Sequence, residues 1–137
     1  MLKGSCLCGD VTYTVTGTPH DPAACHCGQC RKWSGHVWAA AIVAEDEISI
    51  HGPVRWYASS EKARRGFCPR CGASLFWEVR DGRRRISVAA GTLDDSGGLK
   101  TIGHVFVAEA AHYYEINDGL PQYAQGNKGA LESTDNG

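Results

Sequence analysis

The chain has one methionine, three phenylalanines and no apolar run of membrane-spanning length. Its longest apolar stretch, Val37 to Ala44, is the size of a strand. Neither sign of charge is in excess: the net charge is −1 over 137 residues. Nothing global therefore favours nucleic acid or an anionic membrane as a partner. The one basic run, Arg83-Arg84-Arg85, follows Asp81-Gly82 and reads as a solvated hairpin edge. Residues 1–8 hold no apolar core of signal length, so a cytoplasmic location with reduced thiols is expected. A solenoid repeat, a Ser–His–Asp arrangement and a phosphate-cradling glycine loop are all missing.

What the chain does have is cysteine, seven in three tight clusters: Cys6-Leu-Cys8, Cys25-His-Cys27-Gly-Gln-Cys30 and Cys68-Pro-Arg-Cys71. Thiolate is a soft ligand, and zinc takes four ligands in a tetrahedron. The two outer pairs complete one such tetrahedron, and the central trio fills three corners of another. Seven reads as four plus three, a closed site and an open one. Other uses of the thiols compete. Disulfides would leave an odd thiol, and Cys-x-Cys pairs are poorly placed to bridge each other. Cys68-x-x-Cys71 also suits a thioredoxin-like relay, but no βαβ pattern surrounds it. An iron–sulfur cluster remains open for any four thiols, although the spacings match no ferredoxin run.

The rest of the chain reads as all-β. Val11, Tyr13 and Val15 alternate with polar residues, the period of a half-buried strand. Residues 17–22 then break the pattern. Cys27 to Trp33 fits one short helical turn. Strands are expected over His36–Ala44, Glu47–His51 and Val54–Ala58. Leu75–Arg80 and Arg85–Ala90 form a hairpin about Asp81-Gly82. His104–Ala108 and His112–Ile116 are short extended pieces. One domain over residues 1–125 is expected, with a flexible polar tail over 126–137.

Several motifs together resemble a known family. They are Gly4-Ser5-Cys6-Leu7-Cys8-Gly9, Cys25-His26-Cys27 with Cys30-Arg31-Lys32, Ser34-Gly35, Tyr57 with Ser59-Ser60, and Phe67-Cys68 with Cys71-Gly72. Further on come Gly91-Thr92-Leu93-Asp94-Asp95, His104 with Phe106-Val107, and Asp118-Gly119-Leu120-Pro121. Over about residues 4 to 123 the chain resembles the glutathione-dependent formaldehyde-activating enzymes. The resemblance implies a β-tent fold of short antiparallel strands. It implies a structural zinc on Cys6, Cys8, Cys68 and Cys71, and a catalytic zinc on Cys25, Cys27 and Cys30. It also implies a carbon–sulfur lyase reaction, joining or parting glutathione and formaldehyde. The chain departs from the family at Ala110, His112 and Tyr113, where members often carry Lys, Pro and Trp.

The trio's chemistry fits that implication. Three thiolates damp zinc's Lewis acidity but leave a corner for a soft ligand, and a substrate thiol suits it. Arg31, Lys32, Arg64 and Arg65 are candidates for the carboxylates of a glutathione-like ligand, or solvated surface charges. Ser59 and Ser60 would bond ligand backbone or cap a turn. His104 reads as a satisfied half-buried histidine or as an acid–base group near the open site. His26 is a weaker ligand candidate, and Asp94, Asp95 and Asp118 read as loop organisers. The expected partners are a small thiol and a small aldehyde. Two rivals stand beside the enzyme reading: a zinc module that binds a thiol compound or a protein without turnover, and a methionine-sulfoxide-type reductase. The latter needs a nucleophilic cysteine outside both sites, or Cys25 released from a weakly held second zinc.

Overall fold

A computed structural model of the chain describes residues 1–126. The expected tail over 126–137 lies, except for Gly126, outside the described residues. The strands are β1 (Leu2–Ser5), β2 (Thr12–Val15), β3 (His20–Cys25), β4 (Trp38–Ala44), β5 (Ile48–His51), β6 (Arg55–Ala58), β7 (Ala63–Phe67), β8 (Ser74–Val79), β9 (Arg85–Ala89) and β10 (His104–Val105). One α-helix, α1 (Gly28–Ser34), joins β3 to β4. The fold is all-β. No helix among the described residues is long and apolar enough to cross a membrane.

A small sheet runs in the order β1-β2-β5, and a large one in the order β10-β3-β4-β9-β8-β7-β6. Every pairing is antiparallel except β10 with β3, which is parallel. The period of two along the central strands feeds two separate apolar clusters. Val43, Phe76, Ile86 and Val88 join Val11, Tyr13 and Val15 of the small sheet in the first cluster. Trp38, Ala40, Trp77 and Ala89 form the second. Each cluster contains cysteines: Cys6 and Cys68 in the first, Cys25, Cys27 and Cys30 in the second. The large sheet is thus apolar on both faces at its centre.

Four local expectations need correction. β3 begins at His20, inside the expected break, and Pro22 is tolerated because the register slips between His20 and Ala23. The strand from His104 stops at Val105, because Phe106 takes a left-handed conformation (φ 57°) that turns the chain away. His112–Ile116 forms no strand. β1 and β7 were not anticipated, since Lys3-Gly4 and Arg64-Arg65-Gly66 are charged and glycine-rich rather than alternating.

Tyr13 ties the small sheet to the large one. Its ring meets Phe76 edge-on at 5.4 Å, and its hydroxyl lies 2.7 Å from Thr92 Oγ1. Gly4 passes directly over that ring, so a Cβ there would collide with Tyr13 Oη and the Thr92 carbonyl. Gly4→Ala should lower unfolding stability by roughly 1–3 kcal/mol in urea titrations. Burial pushes the Tyr13 hydroxyl up from 10.0 to about 12. A phenol whose folded pKa is raised contributes stability that is whole below its unfolded pKa and lost as pH rises through the folded value. Stability should therefore fall between pH 10 and 12, and Tyr13→Phe should make that fall shallower in the same titrations.

Candidate metal centres

Cys6 and Cys8 follow β1, while Cys68 and Cys71 sit in the turn between β7 and β8. The β1–β2 and β7–β8 pairings bring these turns together across the first apolar cluster. The four sulfurs all lie within 4.8 Å of one another. Cys8 Sγ is 3.6 Å from Cys6 Sγ and 3.7 Å from Cys68 Sγ. Backbone amides point inward: Val11 N–H donates to Cys6 Sγ at 3.3 Å and Cys71 N–H to Cys68 Sγ at 3.5 Å. Gly72, at φ 79°, closes the second turn. Amides of Ala73 and Cys8 hold the Cys71 thiol down, to about 6.

The second cluster is built at the end of β3. Cys25 is its last residue, Cys27 caps α1 by accepting from Cys30 N–H at 3.3 Å, and Cys30 lies in the first turn of the helix. These three sulfurs are again within 4.8 Å of one another. Three thiols this close cannot all ionise unaided. Cys25 is pushed far up by its contacts with Cys27 and Cys30, while Cys27, accepting from both, is held down. A cation that removes all three protons resolves that conflict, so the donor set fits a thiophilic metal ion. All seven thiols are free, and none stands outside the two clusters. The reductase reading therefore lacks its separate nucleophile.

Arg65, a candidate for ligand carboxylates or for a solvated surface charge, is neither and lies beneath the trio, 1% exposed. Its Nη2 is 3.7 Å from Cys30 Sγ and 2.7 Å from Gln29 Oε1, and its guanidinium packs 5.8 and 5.6 Å from the ring centres of Trp33 and Trp38. A buried guanidinium needs a counter-charge, and the sulfur cluster is the one beside it.

A cleft of about 230 Å³ opens over Cys27, walled by Gln29, Ser60, Ala63, Trp77, Phe106 and Glu109. Larger depressions of about 330 and 430 Å³ lie by the β8–β9 hairpin and by the N-terminus, but no cysteine lines them. Cys27 is 7% exposed, while Cys25 and Cys30 are sealed. Glu109 Oε1 accepts from Gly28 N–H at 3.1 Å. Of the residues expected at a substrate, Ser60 lines this cleft, and its hydroxyl accepts from Ala63 N–H at 3.1 Å. Ser59 lies behind it, its carbonyl accepting from Gln29 Nε2. Arg31 and Lys32, in the last turn of α1, do not line it. Arg64 is paired with Glu78 and lies 4.0 Å over the Trp56 ring, facing another depression.

His104 is buried, with both ring nitrogens engaged, by Asp118 and by His26. The other nitrogen of the His26 ring is engaged by the Tyr114 hydroxyl at 2.6 Å. Burial, then the neighbouring His104, pushes the His26 ring down. Gln29, Glu109 and Tyr114 were missed by sequence reasoning. Gln29 sits between Cys27 and Cys30 and was legible by position, whereas Glu109 and Tyr114 arrive from a distant loop.

Comparison with known proteins places this geometry. An uncharacterized lyase of Schizosaccharomyces pombe is 32% identical over 89 residues, 64% of this chain and 65% of that protein's length. The aligned stretch thus spans slightly under two thirds of that relative. A Rhodobacter sphaeroides protein of known crystal structure shares the fold, with a TM-score of 0.58 at 23% identity over 75% of this chain and 99% of that one. The sequence profile of the glutathione-dependent formaldehyde-activating enzymes matches residues 1–109, the stretch that carries both sulfur clusters and the cleft from Cys27 to Glu109. The chain belongs to that family.

Proposed function

We propose that the chain is a zinc-dependent enzyme of the carbon–sulfur lyase type, a single zinc domain over residues 1–125. Its substrate is the adduct of a small thiol, glutathione or a relative, with formaldehyde or another small carbonyl compound. The observation that carries this reading is a cluster of three cysteine sulfurs beneath a cleft, one of the three reaching its floor. The family match and the lyase name of the S. pombe relative support the reaction class.

Cys6, Cys8, Cys68 and Cys71 would hold one zinc as a staple, their four corners closed. Cys25, Cys27 and Cys30 would hold the second. Bound there, zinc supplies a thiophilic position that lowers the pKa of a thiol. The chain's own residues do the rest. Trp77, Phe106 and Ala63 give the cleft apolar walls that limit water. Phe106 keeps its strained backbone at the cleft's edge, the kind of place where such strain collects. Arg65 balances the negative charge of the trio from below. In the joining direction a carbon–sulfur bond forms and the thiol proton ends on the former carbonyl oxygen. Glu109, the carboxylate on the cleft wall, is placed to pass it. Ser60 and Gln29 offer hydrogen bonds to the adduct's hydroxyl. The cleft is below the usual span of about 300–1,000 Å³ for ligand sites, so it takes the reacting end of the thiol compound and leaves the remainder outside.

Cys27→Ser should remove one zinc per chain and abolish turnover of thiol with formaldehyde, while leaving the fold intact. Metal analysis and NMR detection of the hydroxymethyl adduct measure the two. Turnover that persists without that zinc contradicts the proposal. Cys71→Ser should instead unfold the chain at ambient temperature, since a structural zinc contributes folding energy directly. Arg65→Gln should weaken zinc at the trio roughly tenfold in chelator competition, without loss from the other site.

A further inference from the structure

Four side chains form an unbroken hydrogen-bonded row beside the cysteine trio. Asp118 Oδ2 is 2.8 Å from His104 Nε2, His104 Nδ1 is 2.9 Å from His26 Nε2, and His26 Nδ1 is 2.6 Å from Tyr114 Oη. The Asp118 end is wet, with its side chain 45% exposed, whereas the side chain of His104 is 9% exposed. The row runs inward from there to His26, the residue between Cys25 and Cys27.

With both imidazoles neutral, donor arithmetic gives the row one direction. Asp118 receives the Leu120 N–H at 3.0 Å as well as His104, and the two contacts hold its carboxyl below the ordinary carboxylate range. A carboxylate only accepts, so His104 Nε2 carries the hydrogen. A neutral imidazole has one N–H, so His104 Nδ1 accepts and His26 Nε2 donates. His26 Nδ1 then accepts in turn, and the Tyr114 hydroxyl donates. The choice made at the surface by Asp118 is transmitted through two buried rings.

We propose that this row is a positioning device for the second metal centre: Asp118, His104 and Tyr114 fix the tautomer and orientation of His26, and with it the Cys25–His26–Cys27 segment. The proposal rests on the trio being a zinc site. Backbone geometry explains why such a device is needed. β10 is two residues long and pairs with β3 at His104 with Ala24 and Val105 with Cys25, the Ala24 amide donating to the Gly103 carbonyl at 3.0 Å and the Ile102 amide to the Pro22 carbonyl at 2.9 Å. The His26 amide adds one bond to the Val105 carbonyl at 3.1 Å. On its other edge β3 pairs with β4 as far as Cys25 with Trp38, so His26 lies past the end of both ladders, where backbone pairing opens most readily. The side-chain row holds the same segment through the His26 ring, and because all four imidazole nitrogens are engaged, neither ring is free to compete for the metal. Asp118, His104, His26 and Tyr114 are positioning residues and need not touch substrate.

Nitrogen-15 NMR of the full chain, labelled at histidine and loaded with zinc, reads the row directly. Both His26 and His104 should be protonated at Nε2 and bare at Nδ1. Asp118→Ala, a change at an exposed loop residue, should leave His104 in mixed tautomers and weaken zinc at the trio about tenfold in chelator competition, the usual scale for outer partners of a metal site. The first zinc should be unaffected, and Asp118→Glu should restore both readouts. A hydrogen on Nδ1 of either ring, a charged His104, or an alanine variant with wild-type tautomers or wild-type zinc retention overturns the proposal. If the wild-type chain retains a single zinc, the lyase reading fails, while the tautomers still decide whether the row exists.

Discussion

Sulfur crowding governs this structure. Two sets of thiols, four and three, are held with every sulfur in a set within 4.8 Å of the others. Thiolates at that distance repel strongly, and thiols gain little from one another, so protein alone gives no reason for such neighbourhoods. A thiophilic cation gives one, by replacing several protons and turning repulsion into coordination. The backbone is arranged for it: amides of Val11, Cys71 and Cys30 aim at sulfur, as they do where a thiolate must be stabilised.

The sheet keeps the two sulfur clusters apart. Alternation along β4, β8 and β9 sends one set of side chains to each apolar cluster, and each cluster has its own sulfurs. The first cluster joins the β1–β2 turn to the β7–β8 turn through four thiols. The second is packed on Trp38, Trp77 and Val105, with one sulfur at the floor of a cleft. Arg65 belongs to this second centre as a buried counter-charge rather than as a hand for substrate, and the difference decides how its loss is felt.

The cysteine spacing and the alternation of Val11, Tyr13 and Val15 were enough to read an all-β chain with one four-sulfur and one three-sulfur cluster. Those signals are local, or depend only on which short pairs must meet. Long-range placement was not legible. Arg64 and Arg65 look alike in sequence, yet the pleat sends Arg64 out to Glu78 and Arg65 inward to Cys30. Glu109 reaches the cleft because Phe106 takes a left-handed turn that no glycine announces. His26 reads in sequence as a weaker ligand candidate, whereas the loop carrying Tyr114 and Asp118 engages it through hydrogen bonds. The β10–β3 pairing was hidden for the same reason, since two residues give no period to read.

X-ray absorption at the zinc edge, on reduced protein carrying its full metal complement, tests the central claim most directly. The account predicts two zincs per chain with sulfur at about 2.3 Å, averaging close to three and a half sulfurs each, and a light atom completing the second site. A single zinc with four sulfurs, or a spectrum dominated by imidazole nitrogen, would contradict it.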